Sequence, residues 1–528
     1  MSTTSPAAWL FAHAARDPAP PALDAPGVKL TRGALAERVA SLAGHLAAHG
    51  VGPGQRVIVA LPFSAGAAIA TLAVQATGAC AIEIDRALGA AGFEAVLAEA
   101  RPRFALVQGA DGAAWAAAAR TPFAWAWVVQ APTGAAGPPA EGRTALRADL
   151  ALPAGEQAAP AGAAAVGNDD AALIVYTSGS TGRPRGVVQT YGNLLANTRS
   201  IVAYLGLTEA DRALAILPFH YCYGKSVLQT HLFAGGSVFV EPRFMYPRAA
   251  MESLGKEGCT GFAGVPTTFE ILKREVDLAA LSRPRLRYLT QAGGRMHPDT
   301  IGWARQAFAP AELFVMYGQT EATARLSYLP PARAAEKEGS IGVPIPDVEL
   351  AVVDEQARPV ADGEAGHLVA RGGNVTPGYL DAPEETAAIL HHGWLWTGDL
   401  ARRDADGYFF LVGRAKEILK IGGYRVSPVE IEDTLRSHPA VAEAAVVGAP
   451  DPIQGEVAVA FVVLAPGAAA SEDALRRLCK ERLATYKVPS RVVTVDALPR
   501  NSSGKPLKAQ LLDAAREAAQ RPVSGGTP

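Results

Sequence analysis

A large α/β domain of parallel-rich sheets covered by helices, followed by a small α+β unit, is the fold this sequence predicts. Strand-like apolar runs alternate with helix-length runs from Leu30 to about Pro344, and that alternation builds parallel sheets faced by helices. Beyond Pro344 short β runs broken by turns take over, and a helix–strand–strand–helix–strand order closes the chain. At 528 residues the chain is also too long for one ordinary core. The charged segment Gly413-Arg414-Ala415-Lys416-Glu417 marks the boundary, giving domains 1–412 and 413–528.

Each element has a local reason. Leu35, Val39, Leu42 and Leu46 recur every three or four residues, so Leu30–Gly50 reads as a helix. Gly52-Pro53-Gly54 then turns the chain into a strand at Arg56–Leu61. The uncharged span Val57–Ile82 is long enough for a membrane helix, but Pro62, Gly66 and Gly78 interrupt it and Ala dominates it. A strand, a turn at Pro62–Ser64 and a helix reaching Ala76 are expected instead. Further strands are expected at Phe104–Val107, Trp125–Val129, Ala172–Tyr176, Ala213–Leu217, Ser237–Val240, Tyr288–Gln291 and Glu312–Met316. The Ala/Gly/Pro-rich stretch Ala131–Asp169 reads as a long surface connection. Short strands follow at Val348–Val353, Gly366–Ala370 and Tyr408–Leu411. The small unit reads as helix Pro428–Arg436, strands Ala444–Val447 and Val457–Leu464, helix Glu472–Leu483 and a strand near Val492, with Arg521–Pro528 frayed.

Composition excludes several classes of function. Hydrophobic residues make up 49% and charged residues 19%, as in a soluble globular protein. A net charge of −2 leaves no basic field for nucleic acid or an anionic membrane. Four scattered cysteines without a C-x-x-C pair argue against a disulfide framework and a structural zinc site, and for a reducing compartment. The apolar patch Trp9-Leu10-Phe11-Ala12 has no basic run before it, so no targeting signal is expected and the protein reads as cytoplasmic.

The most informative stretch is Tyr176-Thr177-Ser178-Gly179-Ser180-Thr181-Gly182-Arg183-Pro184-Arg185-Gly186, directly after the apolar run Ala171–Val175. Glycines let backbone N–H groups approach an anion, while hydroxyls and guanidiniums add donors and charge. Such a run suits a polyphosphate. It has neither the G-x-x-x-x-G-K-[ST] spacing of a P-loop nor the G-x-G-x-x-G of a dinucleotide fold. Composition alone also fits a plain Ser/Gly surface loop.

That stretch resembles the phosphate loop of the adenylate-forming superfamily, which includes acyl- and aryl-CoA synthetases, luciferases and peptide-synthetase adenylation domains. The resemblance extends from Leu30 to Leu507. It implies that Thr177, Ser178, Gly179, Ser180, Thr181, Gly182 and Arg185 hold ATP; the family usually carries Lys where this chain has Arg185, which keeps the cation but not its geometry. The segment Tyr317-Gly318-Gln319-Thr320-Glu321 is similar to the family's Y-G-x-T-E, which implies Tyr317 stacking on adenine beside Gly318 and Gln319, Thr320 on phosphate and Glu321 on Mg²⁺. One carboxylate suits Mg²⁺, which is usually bound with substrate phosphates. Gln291-Ala292-Gly293-Gly294 matches the small-residue segment where adenine and acyl group pass the backbone.

The acid pocket implied by the same resemblance includes His220 as its gate, with Tyr221, Gly224, Lys225, Phe262, Gly264, Val265 and Ala292 around it. Peptide-synthetase domains selective for amino acids place an Asp near His220, so an amino acid is not the expected substrate. Lys225 is open to two readings: turned out into solvent, or turned into the pocket, where it favours a polar, anionic or short acid. Asp399, in Trp396-Thr397-Gly398-Asp399, and Arg414 match ribose-holding residues. Lys416 matches the family's hinge, which makes the small unit a mobile lid, and Lys420-Ile421-Gly422-Gly423 matches the wall of the thiol tunnel. Lys505, in Asn501-Ser502-Ser503-Gly504-Lys505, matches the catalytic Lys carried on a mobile loop.

The expected reaction is therefore activation of a carboxylic acid by Mg·ATP as acyl-AMP, then transfer to a thiol, with CoA as co-substrate. A carrier-protein phosphopantetheine, or another oxyanion such as nitrite, is the alternative chemistry. A silent nucleotide-binding regulator is the reading from another class, and the presence of Glu321 and Lys505 weighs against it.

Overall fold

Parallel β-strands in two sheets organise the first part of the chain. The computed structural model describes residues 4–85, 88–108, 125–129, 143–146, 161–178, 184–500 and 507–520. In one sheet Arg212–Ala215, Gly261–Gly264, Tyr288–Gln291 and Glu312–Tyr317 lie side by side and parallel. Ser237–Val240 and Pro21–Ala25 continue that sheet in parallel beyond Arg212–Ala215. In the other, Cys80–Glu83 lies between Arg56–Ala60 and Ala171–Ser178 and is parallel to both. The predicted α/β class and parallel-rich sheets hold, with the strands divided between a nine-stranded and an eight-stranded sheet among the described residues.

The Val57–Ile82 span resolves as the sequence predicts. Strand Arg56–Ala60 ends before Pro62, and Ser64 caps helix Ala65–Ala76 by accepting the Ala67 N–H at 3.2 Å. Every residue of that helix except Gly66 is buried, so its apolar character is that of a core helix. Among the described residues no helix is long and apolar enough to cross a membrane.

Two expectations need correction. The stretch Ala131–Asp169 is not all connection: Arg143–Leu146 forms an edge strand, parallel to Trp125–Val129 with Val128 opposite Ala145. Its sequence, Arg-Thr-Ala-Leu, carries little strand propensity, so the pairing comes from the neighbouring strand and not from local preference. Second, the chain returns after the phosphate loop as strand Pro184–Thr190, which the Pro, Arg and Gly at its start concealed. The expected tail 521–528 lies outside the described residues.

By density of contacts the chain divides into Met1–Leu350 with Ala370–Leu395, and Ala351–Val369 with Trp396–Pro528. The second unit contains most of the antiparallel pair Trp394–Arg403 and Phe409–Arg414, so its packing begins before the boundary expected at 412/413. It also holds a sheet built on the long pair Val441–Asp451 and Gly455–Leu464. Helices Pro428–Arg436 and Glu472–Arg482 pack on that sheet through Ile431, Leu435, Leu475 and Cys479. All four cysteines are free and buried.

Candidate active site

Topology brings the motifs of the first unit to one edge. In a parallel sheet all strands point the same way, so segments leaving their carboxyl ends emerge together. Arg212–Ala215 leads to His220 and Tyr221, Gly261–Gly264 to Val265, Tyr288–Gln291 to Ala292 and Gly293, and Glu312–Tyr317 to Gly318–Glu321. Segments scattered over a hundred residues of sequence thus share one rim.

The stretch Tyr176–Gly186 begins and ends on paired antiparallel strands. Tyr176 faces Gly186, Thr177 faces Arg185, and Ser178 faces Pro184 across its antiparallel strands. Gly179, Ser180, Thr181, Gly182 and Arg183 lie outside the described residues. Arg185 is on the return strand, its guanidinium 5.5 Å from the centre of the Tyr379 ring. The Tyr379 hydroxyl donates to Glu321 Oε1 at 2.8 Å. Burial and the adjacent Glu321 carboxylate push the Tyr379 phenol well above its ordinary range, so it remains a donor. One ring therefore ties the guanidinium of the strand Pro184–Thr190 to the carboxylate of the Y-G-x-T-E segment.

That segment is rigidly seated. Gln189, also on the return strand, donates to the carbonyls of Thr320 and Thr323 at 3.0 and 3.2 Å. The Glu321 carbonyl accepts from the Thr376 N–H at 2.8 Å. A Cβ on Gly318 would lie 2.1 Å from the Ala324 carbonyl oxygen, so only Gly fits where the chain folds back there. Mg²⁺ fits this donor set: Tyr379 fixes one Glu321 oxygen, and the other has no protein partner among the described residues.

On the acid side, Tyr221 and not His220 meets the small-residue segment. Gly293 has φ +87°, and a Cβ there would lie 2.3 Å from the Tyr221 hydroxyl. Gly294 lies against Pro266, and Gly264 against Thr268 and Phe269. His220 points instead toward Asp85, with Nε2 3.7 Å from Oδ2. Burial holds its imidazole below the usual range, opposed by Asp85 and Glu83. Phe262 is buried in contact with Phe269 and Phe308, with ring centroids 6.1 and 6.4 Å away.

Lys225 matches neither reading of the sequence. Helix Cys222–Ala234 is buried at every position from Cys222 to Leu232, so no face of that turn can present an ammonium to solvent. Gly224 sits where a Cβ would meet the carbonyls of Leu217 and Pro218 at 2.4 and 2.3 Å, which pins the helix start to the preceding loop. Lys225 Nζ donates to Glu83 Oε1, the same oxygen that accepts from Thr71, and lies 5.3 Å from the Phe219 ring. Burial lowers the pKa of this ammonium, and Glu83 opposes that shift.

In the second unit, Asp399 and Arg414 face each other across paired strands, joined at 2.8 Å between Oδ1 and Nε. The carboxylate is buried and the guanidinium is half exposed, so one end of the pair is open to a ligand. Lys416 is exposed in the short turn Ala415–Glu417. Lys420, Gly422 and Gly423 are exposed on a tight hairpin, the glycines at φ +55° and +86°. Lys505 lies outside the described residues.

Sequence reasoning missed Tyr379, Gln189, Glu83, Asp85 and Arg325. Tyr379 had one signal, an aromatic following Pro377-Gly378; it pairs with Val187 and so borders the strand Pro184–Thr190.

The Arg185–Tyr379–Glu321 connection joins the strand pair Ala171–Ser178 and Pro184–Thr190 to the rim of the parallel sheet. The chain belongs to the AMP-binding enzyme family, whose model matches residues 10–380, with the AMP-binding enzyme C-terminal domain matching residues 430–505. It is 34% identical to feruloyl-CoA synthase of an Amycolatopsis species, over 95% of this chain and 97% of that one. It is 35% identical to sulfoacetate–CoA ligase of Cupriavidus necator, over 96% and 97%. Among solved structures it resembles o-succinylbenzoate CoA synthetase of Bacillus subtilis bound to its acyl-adenylate intermediate, with TM-score 0.82, 29% identity and coverage of 95% and 97%. The same enzyme bound to ATP and magnesium ion matches with TM-score 0.81, 28% identity and coverage of 95% and 98%. The chain is thus an ATP-dependent, AMP-forming carboxylate–CoA ligase.

Proposed function

We propose that the residues just described divide that reaction as follows. Gly179, Ser180, Thr181 and Gly182, with Thr177, Ser178 and Arg185, hold the triphosphate, and Thr320 contacts it as well. Glu321 holds Mg²⁺, which supplies charge neutralisation to the phosphates when bound. Tyr317, Gly318, Gln319, Gly293 and Gly294 form the adenine slot. Tyr221, Gly264, Val265 and Ala292 border the acid, with Phe262 behind them and Gly224 fixing the loop that carries Tyr221. His220, held by Asp85, orients the loop beside the reacting carboxylate. The Arg185–Tyr379–Glu321 connection is the observation that carries this reading, because it joins the anion-binding and metal-binding motifs through one side chain.

Asp399 and Arg414 hold the ribose in the same reading. Lys505 steadies charge developing at the α-phosphate in the first step. A turn about Lys416 would withdraw Lys505 and present Lys420, Gly422 and Gly423 to CoA for the second. Lys416 falls between the segments matched by the two family models, which supports a pivot there. We place the reaction in the cytoplasm, in keeping with four free, buried cysteines.

Glu321→Gln tests the metal assignment. Acid-dependent pyrophosphate release should then need about tenfold more Mg²⁺ for half-maximal rate. An unchanged Mg²⁺ titration removes Glu321 from the metal site.

A further inference from the structure

Arg325 is a buried cation without a buried anion. It is only 3% exposed, and among the described residues no carboxylate pairs with it. Its guanidinium lies 4.0 Å from the centre of the Tyr223 ring; Nε donates to Met316 Sδ at 3.3 Å and Nη1 to the Ala324 carbonyl at 3.1 Å. The Tyr204 hydroxyl is also within its reach. A ring face, a thioether, a phenol and one carbonyl are weak compensation for a charge taken out of water. Arginine keeps that charge at any ordinary pH.

Its position gives the charge a use. Arg325 follows Glu321 by four residues and backs onto Gly318, whose Cβ would lie 2.7 Å from the Arg325 Cα. The Tyr223 ring under Arg325 also lies 6.2 Å from the Tyr221 ring, and Tyr221 borders Gly293. A line of side chains therefore runs from the acid-binding rim to the guanidinium. Beside it is a cavity of about 20 Å³ bordered by Tyr223, Ser226, Thr230, His231, Thr290 and Arg325 among others. That is room for about one water beside the guanidinium, far below the size of an alkyl chain. The wall groups bond among themselves, Tyr223 to Thr290 at 2.7 Å and Tyr288 to His231 at 3.0 Å, so the guanidinium is the charge left to a ligand. Lys225 cannot serve, because Glu83 already neutralises it.

We propose that Arg325 determines specificity by receiving a second anionic group, carboxylate or sulfonate, at the far end of a short acid. This rests on the acid-site reading above. The test is kcat/KM for acid-dependent pyrophosphate release with succinate, glutarate, sulfoacetate, butanoate and benzoate, for wild type, Arg325→Leu and Arg325→Lys. Wild type should prefer at least one dianion over butanoate by about 100-fold, because a site built for a polar group rejects the analogue that lacks it. Arg325→Leu should lower that dianion-to-butanoate ratio by about 100-fold, and Arg325→Lys should restore part of it. A purely structural role would lower all acids together and leave the ratio within about threefold of wild type, which overturns the proposal. If Arg325→Leu fails to fold, wild type alone decides, since preference for butanoate or benzoate over every dianion also overturns it. Pyrophosphate release with no acid of any kind would instead overturn the acid-site reading itself.

Discussion

Replacing Lys505 by Ala is expected to slow acyl-AMP formation by ~10²–10³, with a much smaller effect on thioester formation from supplied acyl-AMP. The magnitude follows from the role proposed for the ammonium. A charge delivered to the α-phosphate only as the pentacoordinate arrangement forms stabilises the transition state and not the bound substrate. A loss confined to that interaction appears in kcat and kcat/KM together. The second step breaks the acyl–phosphate bond with a thiol, and in the proposed cycle Lys505 has by then been withdrawn. Both half-reactions are measurable on one preparation, by pyrophosphate release and by CoA thiol consumption. Equal losses in the two would contradict the use of separate surfaces for the two steps.

Lys225→Leu is expected to destabilise the first unit by about 3–5 kcal/mol, the usual cost of breaking a buried ion pair from one side. The remaining Glu83 carboxylate would keep only the Thr71 hydroxyl as a described donor, in a site where both ionised side chains are nearly inaccessible. Glu83→Leu combined with Lys225→Leu should recover most of that loss, because two apolar groups leave no charge stranded. Urea denaturation of wild type, both single variants and the double variant gives the coupling directly. Additive losses would mean that the pair is not a unit. The acid preference of Lys225→Leu should stay within about threefold of wild type, since the neutralised ammonium offers no field to a substrate.

These two side chains show where sequence stops informing. The Gly-rich stretch 176–186, the Y-G-x-T-E segment and the Gly293 segment stood out because close backbone approach demands Gly and small polar residues locally, whereas the return strand Pro184–Thr190 did not. The parallel strands were legible because apolar runs of strand length alternate with helical ones. The fate of Lys225 was not, because Glu83 is 142 residues away, on the strand Cys80–Glu83, and meets it only in the folded chain. Arg325 reads as an ordinary surface charge beside a motif until the fold buries it under Tyr223. Tyr379 offered only the aromatic after Pro377-Gly378 as a signal, because its role arises from strand pairing with Val187. His220 drew attention through the family resemblance, yet the backbone turn places its neighbour Tyr221 against Gly293.

Isotope transfer tests the central account most directly. An acid accepted by the enzyme is labelled with ¹⁸O in its carboxylate and turned over with ATP and CoA. Attack of that carboxylate on the α-phosphorus, followed by thiol attack on the acyl carbon, leaves one labelled oxygen in the phosphate of AMP for each thioester formed. The account predicts that label in AMP and none in pyrophosphate. Label in orthophosphate with ADP as the nucleotide product would contradict it.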